Sequence, residues 1–206
     1  AWDEVEKVVK TLPVPVHFAV GNHDMADRGL YESRFGRTYY SFRFNNDLFI
    51  VLDPNLDFWN ISGEQLSFLK EVIERRGKVK HLFVFFHQVL WLSLDPYFRS
   101  LIPNSIAGRA QEVNFHNEVK PLFRDLGIPV YFFAGDVGAH PQRKAIYYHA
   151  DGSLHYIASG MGGGLEDNFL KVRVLADGTV EIKVVALDGD DIHVMGFAKD
   201  HQAPPR

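Results

Sequence analysis

The sequence predicts an α/β fold in which two β-sheets form the core and helices lie outside. Three observations predict it. Helical periods alternate with near-continuous apolar runs early in the chain, and strand–turn–strand patterns take over late. The 206 residues are 46% hydrophobic and include 17 Phe, enough for one domain, residues 1–206, with an aromatic-rich core.

Each element has its own signal. Residues 2–12 set Val5, Val8, Val9 and Leu12 on one helical face, and Pro13 ends that helix. The run Val14-Pro15-Val16-His17-Phe18-Ala19-Val20 reads as a buried strand closed by Gly21, and residues 25–37 as a polar loop. Residues 38–44 and 48–52 flank Asn45-Asn46-Asp47 as a hairpin, and Asp53 starts a turn before Pro54. Ser62-Gly63-Glu64-Gln65 has the pattern of a capping box. It opens a helix that turns Leu66, Leu69, Val72 and Ile73 inward and stops at Gly77. His81 to Phe86 is apolar nearly throughout, as a strand covered on both faces requires.

Residues 89–109 show no period but carry Trp91, Tyr97 and Phe98, which suits an ordered lid over a site mouth. Ala110 to Leu126 follows as an amphipathic helix with Val113, Val119, Leu122, Phe123 and Leu126 inward, and residues 129–134 as another buried strand. Two hairpins come next, 145–149 with 154–159 and 169–175 with 179–187, separated by the glycine loop 160–164. That loop could cradle an anion, but it opens no helix, so close backbone packing accounts for its glycines. Residues 198–206 form a tail.

Composition removes several functions. A net charge of -4 and a pI near 6.2 give no electrostatic footprint for nucleic acid. No apolar run is long enough to span a bilayer, and the first residues form a charged amphipathic segment rather than a signal peptide. The chain has no cysteine, so any metal must be held by His, Asp, Glu or Asn.

Chemistry is concentrated where apolar runs end. Gly21-Asn22-His23-Asp24 offers an amide, an imidazole and a carboxylate at one strand end. Phe83-Val84-Phe85-Phe86 ends at His87, and Val130 to Ala134 ends in Gly135-Asp136-Val137-Gly138. In order and context these three blocks resemble the calcineurin-like metallophosphoesterases, over about residues 14–187. The resemblance implies an αββα two-sheet sandwich, a divalent metal site and hydrolysis of a small-molecule phosphoester. It assigns Asn22 and His87 as metal ligands and His23 to the leaving group, with Asp24 orienting His23.

The resemblance also implies parts that this sequence lacks. The family's Asp-x-His and Gly-Asp-x-x-Asp blocks precede Gly-Asn-His-Asp. Here 20 residues precede it and contain neither, so at least two β–α units, roughly 30 residues each, are expected to be missing. The usual Gly-His-x-His is replaced by Gly135-Asp136-Val137-Gly138, in which Asp136 can ligate and Gly138 cannot. One ion at most is then expected, on Asn22, His87 and Asp136, with Mn²⁺, Fe²⁺, Zn²⁺ and Mg²⁺ all compatible. His140, two residues beyond the usual final His, is a candidate for substrate binding or a substitute ligand, or else a surface imidazole.

The expected function is weak, mononuclear, metal-dependent phosphoester hydrolysis. Two alternatives stay open: an inactive remnant that binds or scaffolds, and a metal-independent hydrolase of esters or glycosides using Asp24, Asp53 and Asp136. A sheet edge left uncovered by missing strands is expected to be sticky and to drive homo-oligomer formation.

Overall fold

The computed structural model describes residues 2–92, 101–139, 144–163 and 166–187. It is a mixed α/β structure with a six-stranded mixed sheet and a separate two-stranded sheet. The large sheet contains β1 (Tyr40–Phe44), β2 (Asp47–Val51), β3 (His81–Phe85), β4 (Val130–Ala134), β5 (Ile146–Asp151) and β6 (Leu154–Ser159), in the order β1-β2-β3-β4-β6-β5. Strands β2, β3, β4 and β6 run parallel, and the antiparallel β1 and β5 close the edges. The small sheet is the hairpin of β7 (Asn168–Val174) and β8 (Val180–Ala186).

The two faces of the large sheet differ because side chains alternate along each strand. One face carries Leu48, Ile50, Leu82, Val84, Val130, Phe132 and Tyr156 and packs beneath the helices. The other is a row of rings in direct cross-strand register: Phe42 opposite Phe49, Phe49 opposite Phe83, Phe83 opposite Tyr131, and Tyr131 opposite His155. Their centroids are 4.8, 5.0, 5.2 and 4.5 Å apart, and His17 extends the row by stacking on Phe42 at 3.6 Å. Aligned cross-strand aromatic pairs are a strong determinant of register.

Helix α1 (Trp2–Val9) is shorter than its pattern suggests and buries no residue, with Val5 and Val8 exposed. It docks through Trp2, which meets Tyr31 and Phe35 edge-on at 5.9 and 6.3 Å, and through ion pairs of Arg34 with Asp3 and Glu6. Those partners lie on α2 (Arg28–Phe35), entered by a 3₁₀ turn at Asn22–Asp27, where the sequence suggests a loop. The helix forms because Asp27 caps it, its side chain accepting the Leu30 N–H at 2.9 Å, while Gly36 ends it at φ 84°.

Residues 15–20 take no regular secondary structure and join no ladder among the described residues, so the expected buried strand is corrected. One side chain stands in for a neighbouring strand: the Tyr40 hydroxyl donates to the Phe18 carbonyl and accepts the Phe18 N–H, both at 2.9 Å. The capping box is corrected too. Helix α3 (Gly63–Glu74) starts after Ser62, but the Ser62 hydroxyl donates to Asp57, and the Gln65 side-chain amide turns away to clasp both backbone groups of Asp53. Leu69 and Ile73 are buried as expected.

The helix expected over 110–126 is broken into a π turn (Phe115–Val119) and a short α4 (Pro121–Arg124). Pro121 lacks the N–H that a continuous helix needs, and Asn114 is diverted into pairing with both backbone groups of Ile61. Phe115, Val119 and Phe123 still share one buried face. Val89, Leu90 and Trp91 belong to the core rather than to a lid, residues 93–100 of that segment lie outside the described residues, and so does the tail. No helix among the described residues is long and apolar enough to cross a membrane.

Candidate functional site

Parallel strands deliver their C-terminal ends to one edge of a sheet. β3 ends at Phe85 and leads to His87; β4 ends at Ala134 and leads to Asp136. The two turns are tied together, the Gly135 and Asp136 N–H groups both donating to the His87 carbonyl at 3.0 Å. Gly21 comes over the top. A Cβ there would rest 3.4 Å from the His87 ring, and one on Gly135 would lie 3.6 Å from Nδ1, so the imidazole sits between two glycines.

Asn22, His87 and Asp136 therefore meet. His87 Nε2 is 3.0 Å from Asn22 Oδ1 and 3.7 Å from Asp136 Oδ1. Neighbouring ligands bonded to one ion at about 2.1 Å sit about 3.0–3.4 Å apart; the His87–Asn22 spacing of 3.0 Å falls in that range, and the His87–Asp136 spacing of 3.7 Å is wider than it. No three His, Asp or Glu side chains gather to hold a metal among the described residues.

Burial sets the electrostatics. Asp136 is 3% exposed, which pushes its pKa up; the neighbouring His87, the Ser105 N–H and His23 pull it back down. Burial lowers the pKa of His87, opposed by Asp136 and Asp24 and reinforced by His23. His23 is exposed beside both groups, at the solvent side of the site.

Asp24 departs from its expected role. Its Oδ2 accepts the Gly21 N–H at 2.9 Å and its Oδ1 the Trp2 indole N–H at 3.1 Å, so its carboxylate fixes the turn and anchors α1 instead of orienting His23. Asp53 is wholly buried and its Oδ1 accepts from the Asn55 backbone and side chain at 3.0 and 2.8 Å, as a turn starter should. Burial raises its pKa, against Thr38 and Asn55. With Asp24 engaged and Asp53 enclosed, three free carboxylates do not meet at one place. His140 lies outside the described residues.

Gly138 stands where the resemblance drawn from the sequence expects a histidine. Its φ is +89°, and a Cβ would fall 2.6 Å from Ala145 Cβ, so a histidine has neither the backbone conformation nor the room. Gly160 packs from the other side, where a Cβ would fall 2.1 Å from the Val137 carbonyl oxygen. The glycine loop is thus pressed against the Asp136 turn, as its composition suggests.

Three supporting residues carry no sequence signal. Asn104 donates its N–H to the Asp136 carbonyl at 2.8 Å and accepts the Ala139 N–H at 2.6 Å, and Ser105 donates its N–H to the Asp136 carboxylate. Asn168, 1% exposed, donates to the carbonyls of Ala145, Gly160 and Glu166 and accepts from the Ser159 hydroxyl. The other described histidines pack or pair elsewhere: His17 stacks on Phe42 and His149 on Tyr156, His81 bridges Asp47 and the Gly178 carbonyl, His116 meets the Trp91 carbonyl, and His155 pairs with the Tyr148 hydroxyl.

No protein-family model and no curated protein matches this chain.

Proposed function

We propose that the chain is a reduced, calcineurin-like metallophosphoesterase domain of the αββα type, with a mononuclear site for a divalent cation and weak phosphoester hydrolase activity. The observation that supports it is the meeting of an amide oxygen, an imidazole nitrogen and a carboxylate at 3.0 and 3.7 Å from ends of three separate chain segments.

Asn22 Oδ1, His87 Nε2 and Asp136 Oδ1 would hold the cation. Such a cation would supply Lewis acidity, easing loss of a proton from water to give the attacking hydroxide and offsetting charge on the phosphoryl oxygens. The protein's own part is positional. Buried Asp136 brings a negative charge to a site otherwise made of neutral donors, and its Ser105 N–H bond holds that carboxylate in place. His87 is kept neutral by burial, the form in which a ring nitrogen can bind a metal. His23, exposed beside the pair, hydrogen-bonds the phosphate and gives its proton to the leaving oxygen as the P–O bond breaks. A lone cation cannot clamp attacking and leaving oxygens symmetrically, hence the low activity.

The test is hydrolysis of an aryl phosphate ester with added Mn²⁺, together with metal content after dialysis. His23→Ala should lower the rate about 100-fold or more while metal is retained. His87→Ala should abolish both. Equal rates in all three proteins, or a wild-type rate that survives chelator, would overturn the reading.

A further inference from the structure

His81 and Asp47 open the neighbouring parallel strands β3 and β2 and stand directly opposite one another in register. Both are buried. The imidazole uses both of its nitrogens: Nδ1 lies 2.7 Å from Asp47 Oδ1, and Nε2 lies 2.8 Å from the Gly178 carbonyl oxygen. Gly178 sits in the turn that joins β7 to β8, so this one ring spans from the large sheet to the small one.

A neutral ring beside an ionised carboxylate cannot satisfy both partners. A backbone carbonyl only accepts, so Nε2 must carry a hydrogen. An ionised carboxylate also only accepts, whereas a neutral imidazole with its hydrogen on Nε2 presents a lone pair at Nδ1. At 2.7 Å a proton must therefore lie between Nδ1 and Oδ1, whichever of the two owns it. Removing it sets a lone pair against the carboxylate, or moves the ring hydrogen to Nδ1 and sets a lone pair against the Gly178 carbonyl. Either way a buried acceptor loses its donor, which costs more than the bond itself contributed.

The surroundings offer no substitute. Phe83 and Tyr131 flank the ring, their centroids 5.9 and 6.3 Å away, and burial raises the Tyr131 pKa. Asp47 is the one ion-pair partner of His81 among the described residues. Asp177, in the turn, is taken up by the Thr179 N–H at 2.8 Å, which with nearby Lys80 lowers its pKa. The turn is also tied within itself, the Leu175 N–H donating to the Thr179 carbonyl at 2.8 Å and the Gly178 N–H to the Leu175 carbonyl at 3.0 Å.

We propose that His81 is a proton-operated latch on the β7–β8 turn. The proton shared with Asp47 leaves Nε2 donating to Gly178 and holds the turn against β2 and β3. Its loss frees residues 175–179, while Asn168 keeps the other end of the hairpin fastened and Leu170 and Ile182 stay packed on the ring face. The closed latch binds a proton that the open one does not need, so raising the pH favours opening. His81 starts β3 and His87 follows its end, so the latch works apart from the hydrolase site.

NMR of the metal-free protein from about pH 5 to about pH 9.5 tests this, following the His81 ring nitrogens and the methyl groups of Ala176 and Thr179. At the acid end both ring nitrogens should be protonated and both methyl groups ordered. As the pH rises the ring should lose one proton, and the two methyl groups should lose order with the same midpoint. Asp47→Asn supplies an amide N–H to Nδ1, so a neutral ring can keep its Nε2–H on Gly178, and the turn should stay ordered at the alkaline end. Three results would overturn the proposal: a ring that keeps both protons across the range, a ring that titrates while the methyl groups do not respond, or an Asp47→Asn turn that loosens as the wild type does. Should that variant not fold, the wild-type titration alone decides.

Discussion

At the scale of single residues, the imidazoles of this protein divide by what surrounds them. His155 ends the ring row, stacked on Tyr131 and sharing a hydrogen bond between its Nδ1 and the Tyr148 hydroxyl, 2.8 Å away. Burial lowers its pKa below the ordinary 6.5. The unfolded chain therefore binds a proton that the folded ring resists. Its contribution is complete above about pH 6.5 and is lost as pH falls from there toward the folded value. His155→Phe should keep the stack and remove this component. Thermal melts at pH 7 and pH 5 should show a smaller loss for the variant than for wild type, and equal losses would refute the assignment.

At the scale of elements, the site is held by clasps more than by the strands that carry its ligands. Asn168 is the main one, fastening the start of β7 to Ala145, Gly160 and Glu166 and receiving Ser159. Asn168→Ala would leave three carbonyls short of a donor in a buried place, a loss of about 2–4 kcal/mol in denaturant-induced unfolding. Loss below about 1 kcal/mol would mean that the loop holds itself.

The sequence discloses the ligand-bearing ends and hides the clasps. His87 and Asp136 are legible because each follows an apolar run that can only be a covered parallel strand, and such strands bring their ends together. Asn22 is legible from the residues around it, although the segment before it pairs with Tyr40 and not with a strand. Asn104 and Asn168 act on backbone groups distant in sequence, and no local period records that. Helix α2 is hidden for a related reason: Tyr31 is its one buried residue, so it has almost no apolar stripe to read. The capping pattern at Ser62 misleads because Gln65 finds a better-enclosed partner in Asp53.

At the scale of the whole molecule, stability is unevenly distributed. β3 and β4 lie mid-sheet with nearly every residue buried, whereas α1 buries none and α2 buries one. Regions with few buried contacts open at low free energy. Amide exchange should show α1 and α2 opening together, locally and with little denaturant dependence, and β3 and β4 opening only with global unfolding. Because the Trp2 indole holds Asp24, that local opening also loosens the turn bearing Asn22 and His23. Identical exchange free energies across all four elements would contradict this.

The contact between Gly138 and Ala145 works as a ratchet. With the chain at positive φ and a methyl group 2.6 Å from where a Cβ would stand, Gly138→His alone cannot seat an imidazole at that position. Placing any side chain there would take concerted remodelling of two chain segments, so an engineer should redesign the 135–139 and 144–146 backbones together before choosing a residue.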